Sequence, residues 1–173
     1  MSDEPMPEPD GDDEIFSFAA PDPVIGTLVG GRYRIIRQLG EGGMGLVYEA
    51  EHEELGRRLA VKIIRPEACW HPAGVDRFLH EARTASRLGH PNLVDVFDMG
   101  RLEDGRPYMV MKLLRGRDLE QLLREEGALK PTRVAELLKG PAAALDAVHG
   151  RGLVHRDVKL ENIFVETHDG GGE

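Results

Sequence analysis

The chain has 173 residues, 40% of them hydrophobic, and a net charge of −9, which allows one buried core and gives no basic excess for nucleic acid. Its single cysteine, Cys69, excludes an internal disulfide and a cysteine-cluster metal site. No run approaches the roughly 18 consecutive apolar residues of a membrane helix, and the N-terminus lacks a signal-peptide pattern, so a soluble, cytoplasmic chain is expected.

The acidity is concentrated at the start. Residues 1–31 hold eight acids (Asp3, Glu4, Glu8, Asp10, Asp12, Asp13, Glu14 and Asp22) and no Lys or Arg, whereas 32–173 carry 22 basic and 23 acidic residues. Five prolines, at 5, 7, 9, 21 and 23, oppose helix there, and like charges keep the segment extended. Residues 1–30 therefore read as a disordered acidic arm. Its apolar island, Ile15 to Phe18, reads as a chance cluster or weak docking on the body, with a partner-binding motif as the alternative.

From Tyr33 the pattern turns β-prone. Tyr33–Leu39, Leu46–Ala50 and Arg58–Ile64 read as strands, with a turn at Leu55-Gly56. Residues 74–88 space Val75, Phe78, Leu79, Ala82, Ala85 and Leu88 as one helical face. Asn92–Met99 and Pro107–Leu113 read as two further strands. A short helix follows over 118–125 and a longer one over 132–149, where Gly140-Pro141 is expected to kink the backbone at a cost of roughly 3 kcal/mol. Five strands with one inserted helix, then helices, is an α+β order.

Three segments carry chemistry. Gly40-Glu41-Gly42-Gly43-Met44-Gly45 lets backbone N–H groups approach phosphate oxygens with no side chain in the way. The same spacing serves dinucleotide-binding folds, but there a helix follows the glycines, and here Leu46-Val47-Tyr48 reads as a strand. Lys62 lies in an otherwise apolar strand, which is costly unless the ammonium is paired or reaches solvent at a strand end. Glu81, within the apolar stretch Phe78–Ala82, is the candidate partner. The third segment, His155 to Asn162, sets Asp157, Lys159 and Asn162 in one short loop: an acid, a cation and a metal-capable amide, the groups needed to move a phosphoryl group onto a hydroxyl.

Together these motifs resemble a bacterial, eukaryotic-like (Hanks-type) Ser/Thr protein kinase over residues 32–168. The resemblance implies a protein-kinase-like fold: a five-stranded N-lobe with one helix and the hinge over 31–115, then the first part of a helical C-lobe over 116–173. It implies ATP and Mg²⁺ as cofactors and a protein Ser/Thr hydroxyl as acceptor. Asp157 would receive the hydroxyl proton, Lys159 would neutralise phosphoryl charge, and Asn162 would hold Mg²⁺. Arg156 would await an activation-loop phosphate. The ATP pocket would draw on Leu39, the glycine-rich loop residues Gly40, Glu41, Gly42, Gly43, Met44 and Gly45, and on Val47, Ala60, Lys62 and Glu81. Met111 would guard its back, and the Lys112 carbonyl and Leu114 amide would meet the adenine edge. Phe164 would form the floor. Asp118 would contact ribose, or equally cap a helix, and Met111 is also compatible with plain core packing. His90-Pro91-Asn92 resembles the family's turn into its fourth strand.

No D-F-G follows Asn162 in the 11 remaining residues. The chain accordingly reads as a kinase fragment lacking D-F-G and the activation segment, with negligible transfer of its own and an exposed apolar face over Val134–Val148 that invites association. The alternative is a non-catalytic nucleotide-binding or scaffold module of pseudokinase type.

Overall fold

The computed structural model describes residues 22–42, 45–70 and 72–167. One antiparallel sheet dominates the first half. Its strands are β1 (Leu28–Val29), β2 (Tyr33–Gly42), β3 (Gly45–His52), β4 (Arg58–Ile64), β5 (Val96–Arg101) and β6 (Pro107–Met111). Their spatial order is β1-β2-β3-β4-β6-β5, so β6 slots between β4 and β5. A short α1 (Pro66–Cys69) and the longer α2 (Pro72–Leu88) connect β4 to β5. The exposed residue Trp70 follows α1 at the joint between the two helices. After the sheet come β7 (Gly116–Asp118), α3 (Leu119–Glu126), α4 (Pro131–His149), a 3₁₀ turn (Leu160–Asn162) and β8 (Phe164–Glu166). β7 and β8 form a separate antiparallel pair.

Strand alternation divides the core into two layers. On β4, Leu59, Val61 and Ile63 join Tyr33, Ile35, Tyr48 and Val110 on one face of the sheet. The opposite face places Ile64 against Phe78 and Ala82 of α2, together with Met109 of β6. Because side chains alternate along a strand, Ala60 and Lys62 share the α2 face with Ile64. A third cluster, Leu119, Leu122 and Val165, joins α3 to β8.

Three expectations need correction. The sheet has six strands rather than five, because a two-residue β1 is too short to show alternation in sequence. The segment assigned to the disordered arm is ordered from Asp22 onward: the Tyr48 hydroxyl donates to Asp22 Oδ2 (2.7 Å), Val24 packs on the first core cluster, and β1 pairs with β2. The rest of the arm, with its Ile15–Phe18 island, lies outside the described residues. The fifth strand starts at Val96, not Asn92, since His90 organises a turn in which its carbonyl and Nδ1 accept from Leu93 N (2.9 Å) and Asn92 N (3.2 Å). Pro141 lies inside α4, which spans Pro131–His149. Its neighbour Gly140 supplies a notch for the Asn92 amide; a Cβ there would stand 2.7 Å from Asn92 Nδ2.

The exposed face expected on α4 is partial. Val134 and Leu138 are exposed, but Ala144 and Val148 are buried. Among the described residues, no helix is long and apolar enough to cross a membrane.

Two buried tyrosines give this sheet an alkaline limit. Burial, then the hydrogen bond to Asp98, pushes the Tyr33 phenol from 10.0 up to about 12. Burial, then the bond to Asp22, pushes Tyr48 up as well. The folded state thus holds these protons more tightly than the unfolded chain. The stabilising contribution of each is complete below the ordinary phenol value of 10.0; that of Tyr33 is lost as pH rises through about 12, and that of Tyr48 at higher pH still. The urea midpoint is expected to fall steeply across that window, and the fall should be shallower in Tyr48→Phe. A midpoint flat across the window refutes this.

Candidate active site

The glycine-rich segment forms the tip of the β2–β3 hairpin, with Gly42 opposite Gly45 in register. This is the strand–turn–strand order that the sequence implies, not a strand–helix turn. Gly45 is required by close approach: a Cβ there would run into the Ile63 carbonyl oxygen of β4. Gly40 and Gly42, by contrast, face open space. Glu41 is exposed, and its carboxylate pairs with Arg65 at the end of β4 (3.0 Å), tying the hairpin tip to the neighbouring strand. Gly43 and Met44 lie outside the described residues.

Register then aligns the remaining N-terminal candidates. Val47 opposes Lys62, and Lys62 opposes Met109. Ala60 opposes Met111. These pairs form two adjacent cross-strand rows behind the hairpin tip, and Leu39 is exposed at its β2 edge. The Lys62 ammonium stands 6.0 Å from the centroid of the Phe78 ring, at the outer limit of cation–π reach. Met111 packs against the Ile64–Phe78 cluster, so the core-packing reading of this residue holds. Glu81 lies in α2, but its side chain is outside the described residues, and so is the expected pairing with Lys62.

The linker after β6 is clipped at both ends. Lys112 N donates to Asp95 O (2.9 Å), and its ammonium pairs with Glu166 at 2.8 Å. Thr167 N donates to the Arg115 carbonyl (2.8 Å). Leu114, between these ties, is half-buried. Asp118 lies opposite Phe164 in the β7–β8 pair. Its carboxylate accepts from Gln121 N (2.8 Å), which caps α3. The helix-cap reading of Asp118 is therefore satisfied by the fold itself. Phe164 is exposed.

The segment 154–162 holds the acid and the amide together. Asn162 Nδ2 donates to the Asp157 carbonyl (2.8 Å) and to its Oδ2 (2.9 Å). With the amide nitrogen so engaged, its oxygen is the end left to face other ligands. The 3₁₀ turn that carries Asn162 supplies this reach over five residues. Asp157 N donates to His155 Nδ1 (3.3 Å), and Arg156 between them adopts φ 65°, the sole left-handed non-glycine residue among those described. Such a conformation costs of order 1–3 kcal/mol and persists where neighbours fix it. Lys159 leans toward Glu161 (3.7 Å) rather than toward Asp157.

Two α2 residues that sequence reasoning did not single out as functional also reach this loop. Arg77 Nη2 donates to Asp157 Oδ1 (2.8 Å), and the His80 ring meets the Val154 carbonyl at 3.0 Å. Nothing in the local pattern marks either contact, because both span more than seventy residues.

Two features fit the cofactors of the resemblance. The bare Gly40 and Gly42 leave room that side chains would fill, and the Asp157–Asn162 pair offers hard oxygen donors of the kind Mg²⁺ takes. Among the described residues, no group of three or more His, Cys, Asp or Glu side chains forms a dedicated metal cage.

A curled antiparallel sheet with one packed helix, joined by a short linker to an acid–amide loop, defines a protein-kinase-like fold. The family model "Protein kinase domain" matches residues 33–170, and the chain belongs to that family. It is 39% identical to the serine/threonine-protein kinase pkn3 of Myxococcus xanthus, over 84% of this chain and 26% of that protein. It is 41% identical to the serine/threonine-protein kinase PknA of Mycobacterium tuberculosis, over 83% of this chain and 34% of that protein. The chain thus spans about a quarter to a third of these relatives' length. The crystal structure of the Mycobacterium tuberculosis PknI kinase domain superposes with a TM-score of 0.72 at 32% identity, covering 83% of this chain and 58% of that one.

Proposed function

We propose that this chain carries the nucleotide cradle and hydroxyl-activating loop of an ATP-dependent Ser/Thr protein kinase that acts in the cytoplasm. The observation that carries the reading is the Asp157–Asn162 pair, held on the C-terminal side of a linker whose N-terminal side presents Lys62 and a glycine hairpin. Family membership and bacterial Ser/Thr kinase relatives support it.

In this reading the hairpin N–H groups and Lys62 bind the nucleotide phosphates, with Leu39, Val47, Ala60, Met111 and Phe164 enclosing the base. The Lys112 carbonyl and Leu114 amide recognise its edge. Asp157 orients a protein Ser or Thr hydroxyl and accepts its proton, and Lys159 swings from Glu161 to the transferring group. Bound Mg²⁺, held in part by Asn162, would neutralise phosphate charge. Catalysis of this type is positioning and electrostatics, so the residues' fixed spacing is their contribution. The fragment reading belongs here too: transfer by residues 1–173 alone would be negligible, and nucleotide binding is the property to measure first.

The test is a titration of a fluorescent Mg²⁺–ATP analogue against the parent chain and Lys62→Met. A charge-assisted hydrogen bond contributes about 1.5–3 kcal/mol, so the variant should bind about ten- to a hundredfold more weakly. Equal affinities would remove Lys62 from the phosphate site.

A further inference from the structure

Asp157 is engaged at both carboxylate oxygens in this structure. One carboxylate oxygen is held by the Arg77 guanidinium (2.8 Å) and the other by the Asn162 amide (2.9 Å). The second contact lies within the loop and orients the acid. The first comes from α2, 80 positions away, and has no orienting role that Asn162 does not already fill. The same Arg77 nitrogen lies 3.4 Å from the Arg156 carbonyl, beside the left-handed kink. One helical turn further on, His80 meets Val154 O. The helix is thus fastened to the loop at both ends of the segment 154–157.

We propose that Arg77 is a latch. It locks α2 onto the catalytic loop and keeps Asp157 self-blocked until the pair parts. This rests on the reading of Asp157 as the base that receives the substrate proton. A hydroxyl must take a carboxylate oxygen to surrender its proton, and it would compete with the guanidinium at Oδ1 and with the Asn162 amide at Oδ2. The pair is suited to release. Arg77 is half exposed and Asp157 about one-fifth exposed, so the bond is accessible to water and to competing anions. A pair of this kind contributes little stability and opens readily. The device also reports helix position: Phe78, the next residue, is the buried anchor of α2 under β4. A displacement of α2 that separates Arg77 from Asp157 therefore alters the packing beneath Lys62 at the same time.

The experiment uses the protein as its gene encodes it, in four forms: parent, Arg77→Met, Asp157→Asn and the double variant. Thermal midpoints first test the pair. Arg77→Met should lower the midpoint of the parent and leave that of Asp157→Asn unchanged; equal losses in both backgrounds overturn the contact. Turnover of a Ser/Thr peptide at saturating Mg²⁺–ATP then tests the latch. Release of an exposed ion pair should raise kcat in Arg77→Met about three- to fivefold. The parent rate should also climb with added KCl while the variant's does not. Turnover in Arg77→Met no higher than in the parent, including none in either, overturns the latch. Retained turnover in Asp157→Asn would instead sink the base assignment, and the midpoints would still report whether the pair exists.

Discussion

Asp157→Asn should lower peptide phosphorylation by about 10²–10⁴-fold, the range that a positioned general base contributes. Asparagine has nearly the shape of aspartate and keeps an oxygen for the Asn162 amide, whose bonds to residue 157 measure 2.8 and 2.9 Å. The loop should therefore keep its form, and Mg²⁺–nucleotide affinity should change by no more than about twofold, separating a lost chemical step from lost binding. Parallel measurement of kcat and nucleotide Kd in the gene's full product checks this. A fall in affinity matching the fall in kcat would mean that Asp157 supports the site rather than performs chemistry. Activity at the parent level would remove Asp157 from the chemical step, whereas nucleotide binding with no turnover in either form would favour the scaffold reading.

Phe78→Ala should destabilise the first half of the chain by about 3–5 kcal/mol, the range for truncating a buried aromatic side chain. Phe78 is fully buried, between Ile64 of β4, Met109 of β6 and Ala82 of its own helix. The cluster around it is small, so few neighbours can collapse into the space. Since native domains hold only about 5–15 kcal/mol in total, a loss of this size leaves a marginal fold. Urea unfolding followed by far-ultraviolet dichroism measures it. Phe78→Leu, which refills much of the volume, should recover most of the loss. A cost below about 1 kcal/mol for alanine would mean that α2 is not anchored where the packing places it.

The elements most visible in sequence were those whose packing is local in pattern. Arg58–Ile64 alternates between two buried faces and forms a strand with those bounds, and residues 74–88 repeat at helical spacing and form most of α2. What escaped notice was either too short or too distant. β1, β7 and β8 have two or three residues each, fewer than one full alternation can reveal. Gly140, beside the Pro141 expected to kink α4, is fitted against Asn92 from a turn nearly fifty residues earlier, a contact no local pattern marks.

The candidate site divides in the same way. The Asp157–Asn162 pair was legible because its spacing is fixed within one loop. Register alone put Lys62 beside Val47 and Ala60 beside Met111. The Arg77, His80 and Glu166 contacts were not legible, since each depends on how one half of the chain sits on the other. Lys112 illustrates the limit. Only the structure reveals that its charge is answered by Glu166 from β8.

The joint between α1 and α2 has a practical consequence. Trp70, the chain's one tryptophan, stands there 75% exposed, directly after Cys69, its one thiol. An indole and a labelling handle thus sit together at the pivot of the helix that carries Arg77 and Phe78. Fluorescence of the native chain, quenched by a label on Cys69 or followed by the indole alone, can read helix movement in real time. No engineered reporter is needed, and the optical signal comes from one place only.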